Sequence, residues 1–178
     1  MTEHDIIKGC QKGVPLYQRA LVERYSPMLM TVARRYAPNR QAAEDILQEA
    51  LLKIFRAIPN YAPTGSFEAW MRRIVVTTAL HALDKSWYRR ENGELDAAEE
   101  PFLLPDVYAR LGAEELLALI AKLPEGFRQI FNLNVIEQYP HTEIAVMLGI
   151  TESTSRSQLT RARKLLQTMI ADREKIKI

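Results

Sequence analysis

Apolar residues recur at spacings of three and four along almost the whole chain, and this periodicity constrains the fold more than any other feature. No stretch shows the sustained alternation of apolar and polar residues that a half-buried strand requires. The pattern predicts helices over residues 3–12, 15–37, 40–58, 67–90, 113–123, 125–138, 141–148 and 152–171. We therefore expect an all-α protein, with Ser66 and Thr151 as N-caps.

The helical pattern fails in one internal segment, residues 91–111. This segment contains Pro101 and Pro105, and residues 91–115 carry eight acids against one arginine, a net charge of −7. Prolines and charges of one sign favour a linker over a packed element. The sequence therefore predicts two small helical domains, residues 1–90 and 112–178, joined by a flexible acidic linker. Fully extended, a linker of this length spans roughly 70 Å.

Several classes of protein are excluded by what the chain lacks. Cys10 is its single cysteine, so neither an intrachain disulfide nor a cysteine-based metal cluster can form. The N-terminal residues include charged side chains and no long apolar run, which argues against a signal peptide. No stretch approaches the roughly 18 apolar residues of a membrane span. We expect a cytoplasmic protein with no membrane insertion.

The chain also lacks the usual signatures of catalysis. It has no glycine-rich phosphate loop, no GxSxG elbow and no HExxH pair, and its three histidines are isolated in sequence. We therefore predict no catalytic residues, no metal and no cofactor, and a protein that is not an enzyme. An all-helical metal-dependent enzyme remains the alternative, which metal analysis of the purified protein would test.

The clearest functional pattern lies near the C-terminus. Residues 141–148 form a short amphipathic helix, Gly149 supplies a turn, and Thr151 caps a second helix, as in a helix-turn-helix. The second helix has an apolar stripe on one side: Leu159, Ala162, Leu165, Leu166, Met169 and Ile170. Short donors and long cations lie opposite: Ser153, Arg156, Ser157, Thr160, Arg161 and Lys164. This pattern, with a net charge of +5 over residues 153–178, favours major-groove DNA binding over an ordinary solvated face.

A second pattern lies on the helix predicted over residues 40–58. Asp45, Gln48 and Glu49 share the side opposite its apolar half, and Leu52 lies among them. An acidic patch around a leucine suits docking onto a basic protein helix. An ordinary solvated face is the more common explanation for one such helix taken alone. A carboxylate metal site is disfavoured because the Glu-x-x-His pattern is missing.

A third pattern joins the loop around Tyr61 to the helix that follows it. Trp70, Arg73, Thr77 and His81 form an arc between two apolar stripes of that helix. Aromatic, cationic and hydrogen-bonding groups in a row fit unstacked nucleic-acid bases. The alternative is that Trp70 belongs to the core and Arg73 is merely solvated.

The segments that carry these patterns resemble a known protein family. Residues 43–50, AEDILQEA, and residues 61–74, YAPTGSFEAWMRRI, resemble conserved region 2 of extracytoplasmic-function (ECF) sigma factors. Residues 123–131, 141–145 and 148–163 resemble region 4. The resemblance covers nearly the whole chain apart from the linker and the last few residues, and its two parts occur in the family's order.

The resemblance implies a sigma-70-family initiation factor that binds promoter DNA and core RNA polymerase, on the largest-subunit coiled coil and the flap. Region 2 docks on the coiled coil, matching Asp45, Gln48, Glu49 and Leu52. It also melts and reads the −10 element, matching Tyr61, Phe67, Trp70, Arg73, Thr77 and His81. Region 4 reads the −35 element, matching Thr154, Arg156, Ser157, Thr160 and Arg161, with Lys164 further along the same face. Such factors are often restrained by an anti-sigma factor or another regulatory protein, so we expect one here.

The chain departs from the family pattern at five positions. Thr77 stands where asparagine is usual and Asp84 where a base is usual; Gln138 and Ser153 replace glycines, and Ser155 replaces an apolar residue. The first two bear on −10 preference and melting, and the two serines on −35 preference. The competing hypothesis is a DNA-binding regulator that never docks on polymerase, for which the Asp45, Gln48 and Glu49 face would be dispensable.

Overall fold

The computed structural model describes residues 1–83 and 112–176, so the predicted linker and the end of the fourth predicted helix lie outside the described residues. Every regular element within these two ranges is helical, which confirms the all-α prediction. The chain divides into two compact units between Leu83 and Asp84. The domain limits of 1–90 and 112–178 stay predictions.

Four α-helices and a short 3₁₀ turn build the N-terminal unit. They are α1 (Glu3–Gln11), α2 (Pro15–Tyr36), α3 (Arg40–Ala57), the 3₁₀ turn (Ile58–Asn60) and α4 (Phe67–Ala82). Helices α2, α3 and α4 pack against one another, and α1 packs on α2. Their shared core includes Leu21, Leu29, Tyr36, Ile54 and Met71, all fully buried.

Side-chain caps fix where α1, α3 and α4 begin. The Thr2 hydroxyl accepts from the Asp5 N–H and the Asp5 carboxylate accepts from the Thr2 N–H at 2.9 Å, a complete capping box for α1. Asn39 caps α3 by accepting from the Ala42 N–H at 2.8 Å. Ser66 caps α4 by accepting from the Ala69 N–H at 3.3 Å, as predicted.

Within residues 112–176 the C-terminal unit has four α-helices and one π turn. They are α5 (Ala113–Ile120), α6 (Glu125–Phe131), the π turn (Asn132–Ile136), α7 (His141–Leu148) and α8 (Glu152–Ile176). The buried side chains of Ile130, Leu133, Ile144 and Leu166 form its centre.

Several predicted helix ends differ from the observed ones. The helix predicted over residues 67–90 ends at Ala82, because Leu83 adopts an extended backbone, and the helix predicted over residues 113–123 ends at Ile120. The helix predicted over residues 125–138 becomes a π turn after Phe131, where the Glu137 N–H donates to the Asn132 carbonyl at 2.9 Å, and the chain leaves it at Gln138 with φ of 60°. Helix α8 continues past residue 171 to Ile176, and Arg173 pairs with Glu115 of α5 at 3.0 Å. This ion pair joins the last turns of α8 to α5, a contact that periodicity alone does not predict.

Candidate docking and DNA-binding surfaces

Helix α3 presents one side to the core and the opposite side to solvent. Ile46, Leu47, Ala50 and Ile54 are buried, as predicted. The exposed residues of the solvent side include a group that we call the acidic face: Asp45, Gln48, Glu49 and Leu52. Leu52 leaves 57% of its surface exposed, although its helix already has a complete buried stripe. An exposed leucine among acids is suited to contact with another protein.

Glu49 is held in place on this face by Lys53. The Lys53 ammonium lies 2.7 Å from the Glu49 carboxylate and also donates to the Thr78 hydroxyl of α4 at 3.3 Å. The hydrogen bond and the positive charge of Lys53 lower the pKa of Glu49, so this carboxylate stays ionised. Asp45 accepts a hydrogen bond from Gln41 at 3.2 Å. Glu49 therefore contributes a fixed negative charge to the acidic face.

Three aromatic rings meet where the loop of residues 61–66 enters α4. The ring centroids of Tyr61, Phe67 and Trp70 lie 4.8–5.5 Å from one another. Phe67 is 1% exposed and packs edge-on against Tyr25 of α2, with 5.7 Å between centroids. The outer two rings, Tyr61 and Trp70, are only half-buried. Phe67 is thus the buried base of this aromatic cluster, whereas Tyr61 and Trp70 offer surface to a ligand.

The loop that carries Tyr61, which we call the reading loop (residues 61–66), is exposed beyond Tyr61. Its conformation is fixed at Tyr61 by a main-chain hydrogen bond, from the Tyr61 N–H to the Ile58 carbonyl at 3.0 Å, and by two bonds that involve side chains. The Tyr61 hydroxyl donates to the Gly65 carbonyl at 3.3 Å, and the Tyr61 carbonyl accepts from the Gln11 side chain of α1 at 3.1 Å. Sequence reasoning missed Gln11, because nothing local indicates a contact across fifty positions.

The arc of α4 continues as the sequence predicts, with Arg73 and His81 exposed and Thr77 half-buried. The Thr77 hydroxyl lies 2.9 Å from the Arg73 carbonyl and 3.1 Å from the Ile74 carbonyl, so its proton is committed to its own helix. Thr77 can therefore offer an incoming base an acceptor oxygen and a methyl group. An asparagine, by contrast, would supply both a donor and an acceptor.

The predicted helix-turn-helix is present in the C-terminal unit. Helix α7 ends at Gly149, whose left-handed φ of 69° allows the Ile150 N–H to donate to the Ala145 carbonyl at 3.0 Å. Thr151 caps α8 by accepting from the Thr154 N–H at 3.0 Å, as predicted. The predicted apolar stripe faces the core, with Leu159, Ala162, Leu166 and Ile170 buried.

The opposite side of α8, which we call the recognition face, carries cations and hydroxyls: Thr154, Arg156, Ser157, Thr160, Arg161 and Lys164. Arg156 and Lys164 are exposed, and the other four are half-buried. Two hydroxyls donate to the helix backbone, from Ser157 to the Thr154 carbonyl at 3.0 Å and from Thr160 to the Arg156 carbonyl at 3.1 Å. Donors for base edges on this face must therefore come mainly from its cations.

Arg156 forms an ion pair with Glu152, one turn earlier on α8. Sequence reasoning did not assign Glu152 to this face, although the i, i+4 spacing of an acid and an arginine is a signal that could have found it. The pair orients the guanidinium along the helix and adds a carboxylate with which an incoming base must compete.

A buried polar link joins the two helices of the helix-turn-helix. Ser155 of α8 is fully buried, and its Oγ lies 2.8 Å from Nδ1 of His141, the first residue of α7. In the sequence, Ser155 is only a departure from an apolar pattern and His141 is an isolated histidine. A polar residue within an apolar stripe is the signal for such a partner, although it does not say which residue that is.

Two further observations on residues 1–83 and 112–176 concern membrane spans and metal sites. No helix in these ranges is both long and apolar enough to cross a membrane. No group of three or more histidine, cysteine, aspartate or glutamate side chains in the same ranges is placed to hold a metal ion.

Comparison with known proteins identifies both units. The family model described as sigma-70 region 2 matches residues 21–89. The model described as sigma-70, region 4 matches residues 113–166. These are the two parts of the chain in which the sequence resembles regions 2 and 4, and they occur in the same order.

Curated relatives align over nearly the whole chain. The ECF RNA polymerase sigma factor SigE of Mycolicibacterium smegmatis is 33% identical over 171 residues, which cover 92% of this chain. They cover 65% of that relative, so this chain spans slightly less than two thirds of its length. The ECF RNA polymerase sigma-E factor of Escherichia coli is 28% identical over 182 residues, covering 96% of this chain and 95% of the relative.

Solved structures show a similar fold at lower identity. CnrH, in complex with the cytosolic domain of CnrY, gives a TM-score of 0.52 at 22% identity, covering 94% of this chain and 96% of that one. RpoE, in complex with the anti-sigma factor NepR from Bartonella quintana, gives 0.53 at 18% identity, covering 86% and 96%. At such identities the likeness concerns the fold alone.

Proposed function

This chain belongs to the ECF sigma factors of the sigma-70 family, which bind core RNA polymerase and direct promoter-specific transcription initiation, and we propose how its surfaces divide that task. The observation that carries the function is the match to both sigma regions, at residues 21–89 and 113–166, in the order the family requires. Sigma factors act by binding, and we propose that this chain likewise has no catalytic activity of its own. Its site of action is then the cytoplasm, where polymerase works.

The acidic face is proposed to dock on a basic surface of core polymerase, the coiled coil of the largest subunit. Support comes from the ionised Glu49, from Asp45 and from the exposed Leu52, about one turn beyond Glu49 on the same face. Opposite charges guide the encounter, and burial of a central leucine adds affinity. The buried side of α3 is already occupied by its own core, so docking requires no rearrangement of the helix.

The reading loop and the arc of α4 are proposed to hold the unpaired −10 strand. Tyr61 and Trp70 supply half-buried aromatic surfaces on which bases can stack. Arg73 and His81 lie exposed further along α4, and Thr77 adds an acceptor between them. Phe67 is also assigned to this site by its position in the family pattern. Because it is buried, we propose that it acts through the other two rings.

The recognition face of α8 is proposed to enter the major groove of the −35 element. Arg156, Ser157 and Thr160 lie closer to the start of the helix and would approach base edges, with Thr154 beside them. Arg161 and Lys164 lie further along and are better placed for backbone phosphates. A DNA-binding regulator that never docks on polymerase would use the same recognition face, but the acidic face would then be dispensable.

A regulatory protein is proposed as a further partner. Two similar folds were solved with bound proteins, CnrH with the cytosolic domain of CnrY and RpoE with the anti-sigma factor NepR. Here a partner that covered the acidic face and the recognition face together would gain from linked binding. A pull-down from stressed and unstressed native cells that recovers polymerase subunits and nothing else would contradict this partner.

In vitro transcription tests the function. Core polymerase, with and without this chain, is supplied with fragments of the source genome, and transcript starts are mapped. We expect discrete starts that depend on the chain and share two upstream elements. Starts that are the same without the chain would contradict a role in initiation.

A further inference from the structure

Helix α1 lies outside the residues matched by the region 2 model, yet it is firmly docked in the N-terminal unit. Two of its own side chains, Ile6 and Cys10, are buried. Gly9 lies so close to Tyr17 of α2 that a Cβ at this position would be 2.0 Å from the ring. Since only glycine fits this contact, α1 is held in one register on α2.

Both ends of α1 connect to the aromatic cluster. Near its start, Glu3 accepts a hydrogen bond from the Tyr25 hydroxyl at 2.9 Å, and the Tyr25 ring packs against Phe67. At its end, Gln11 donates to the Tyr61 carbonyl at 3.1 Å. The helix thus contacts the buried ring through Tyr25 and the outer ring through the Tyr61 main chain.

We propose that Gln11 is a positioning residue for −10 recognition, an inference that rests on the proposed role of the reading loop. Tyr61 immediately follows the 3₁₀ turn, and the loop after it is exposed. By binding the Tyr61 carbonyl, the Gln11 amide fixes the main chain at the point from which the Tyr61 ring reaches Trp70. Stacking surfaces that are already in place bind a base without the entropy cost of ordering the loop.

The proposed role of Gln11 concerns the binding of promoter DNA and not docking on polymerase. The acidic face lies on α3, and Gln11 is joined to the reading loop instead. Losing the Gln11 hydrogen bond should therefore weaken the hold on unpaired −10 DNA and leave core affinity unchanged. Loss of one net hydrogen bond corresponds to a weakening of about 2- to 10-fold.

The test uses holoenzyme and a single-stranded non-template oligonucleotide spanning the −10 element of a promoter mapped by transcription with this chain. Gln11→Met keeps the length of the side chain and removes the amide, whereas Gln11→Lys retains an N–H donor. Gln18→Met and Gln18→Lys are matched controls, because Gln18 is equally half-buried and lies on α2. Core affinity is measured for each variant in parallel.

Cys10 supplies the readout that distinguishes positioning from loss of structure. It is the only cysteine of the chain, it is buried beside Gln11, and burial raises the pKa of its thiol. Detachment of α1 would expose this thiol and speed its reaction with a thiol reagent in the free protein. A change confined to the reading loop would not.

We expect Gln11→Met to bind the oligonucleotide about 2- to 10-fold more weakly than wild type, with core affinity and Cys10 labelling unchanged. Gln11→Lys should recover affinity beyond the change that Gln18→Lys produces. If Gln11→Met bound the oligonucleotide with wild-type affinity, the role of Gln11 would be overturned and the function of the loop would stand. Weaker binding together with faster Cys10 labelling would have the same consequence. Failure of wild-type holoenzyme to bind the oligonucleotide would overturn the proposed function of the loop, and the inference with it.

Discussion

At the scale of the residue, two positions where the family pattern has glycine illustrate why backbone context decides the effect of a side chain. Gln138 adopts φ of 60°, in the left-handed region where a side chain is strained. Ser153 lies in the first turn of α8 with a helical backbone. Both positions are glycine in the family pattern, but here the backbone at Gln138 favours glycine and the helical backbone at Ser153 does not.

Replacing each residue by glycine should thus change stability in opposite directions. Gln138→Gly should raise the free energy of unfolding by about 0.5–1 kcal/mol because it relieves the strain at φ of 60°. Ser153→Gly should lower it by up to about 1 kcal/mol because glycine weakens a helix. Urea denaturation followed by circular dichroism measures both, and two shifts of the same sign would refute this explanation.

The titration of Tyr25 can be followed as an effect on stability. Burial, and next the hydrogen bond and charge of Glu3, raise the pKa of Tyr25 from its usual 10.0 to about 12. Because the neutral phenol is favoured in the folded state, its stabilising effect is complete below pH 10 and is lost as the pH rises towards 12.

Wild-type protein should therefore lose about 2 kcal/mol more unfolding free energy between pH 9 and pH 12 than Tyr25→Phe does. Denaturant titrations at several pH values measure the difference, which cancels the lysines and other tyrosines common to both proteins. An equal loss in wild type and Tyr25→Phe would show that Tyr25 does not titrate in this window.

At the scale of the element, α8 combines two kinds of contact along one face. The exposed Arg156, near the helix start, is oriented by Glu152, whereas Lys164 lies two turns further along. A bidentate arginine contact to a base discriminates by about 1–3 kcal/mol, while a phosphate contact adds affinity without sequence information. Truncation of Arg156 should therefore change sequence preference, whereas truncation of Lys164 should change affinity alone.

Arg156→Ala should lower transcription from the cognate promoter and relax preference at one or two −35 positions. Lys164→Ala should weaken binding evenly across sequences and reduce the salt slope by roughly one. A randomised −35 library, transcribed by each mutant holoenzyme at two salt concentrations, measures both effects. An unchanged sequence profile for Arg156→Ala, with affinity alone reduced, would remove its role in reading bases.

At the scale of the whole molecule, the parts that the sequence predicts are those fixed by local spacing. Periodicity identifies the buried side of α3, with Ile46, Ala50 and Ile54, and therefore also the exposed side with Leu52. The Ser66 and Thr151 caps follow from an oxygen placed three residues before an unpaired N–H. These features need only the geometry of one helix.

The parts that the sequence does not predict depend on contacts between distant residues. Gln11 and Tyr61 are 50 positions apart, His141 and Ser155 14 apart, and Arg173 and Glu115 58 apart. Each pair forms only after helices pack, so no local pattern identifies the partner. The burial of Phe67, by contrast, follows from periodicity, because Phe67 shares one apolar stripe of α4 with Met71 and Val75, which are also buried.

The central claim is that one chain docks on core polymerase through the acidic face and directs it to promoters. It is tested most directly by the yield of transcript from a mapped promoter as this chain is titrated into core polymerase. Wild type is compared with Glu49→Lys, alone and combined with Gln48→Ala. Glu23→Lys is the control, since Glu23 is an exposed glutamate of α2 that is also paired one turn away with a base, Arg19.

We predict saturating, promoter-specific transcription with wild type and with Glu23→Lys. Glu49→Lys should need at least about tenfold more protein, because a reversed charge at a complementary interface costs several kcal/mol. Its helicity should be unchanged and its thermal stability nearly so, as for other surface substitutions. A Glu49→Lys, Gln48→Ala variant with the wild-type titration curve would contradict docking through the acidic face. A wild-type chain that yields no promoter-specific transcript at any concentration would contradict the account as a whole.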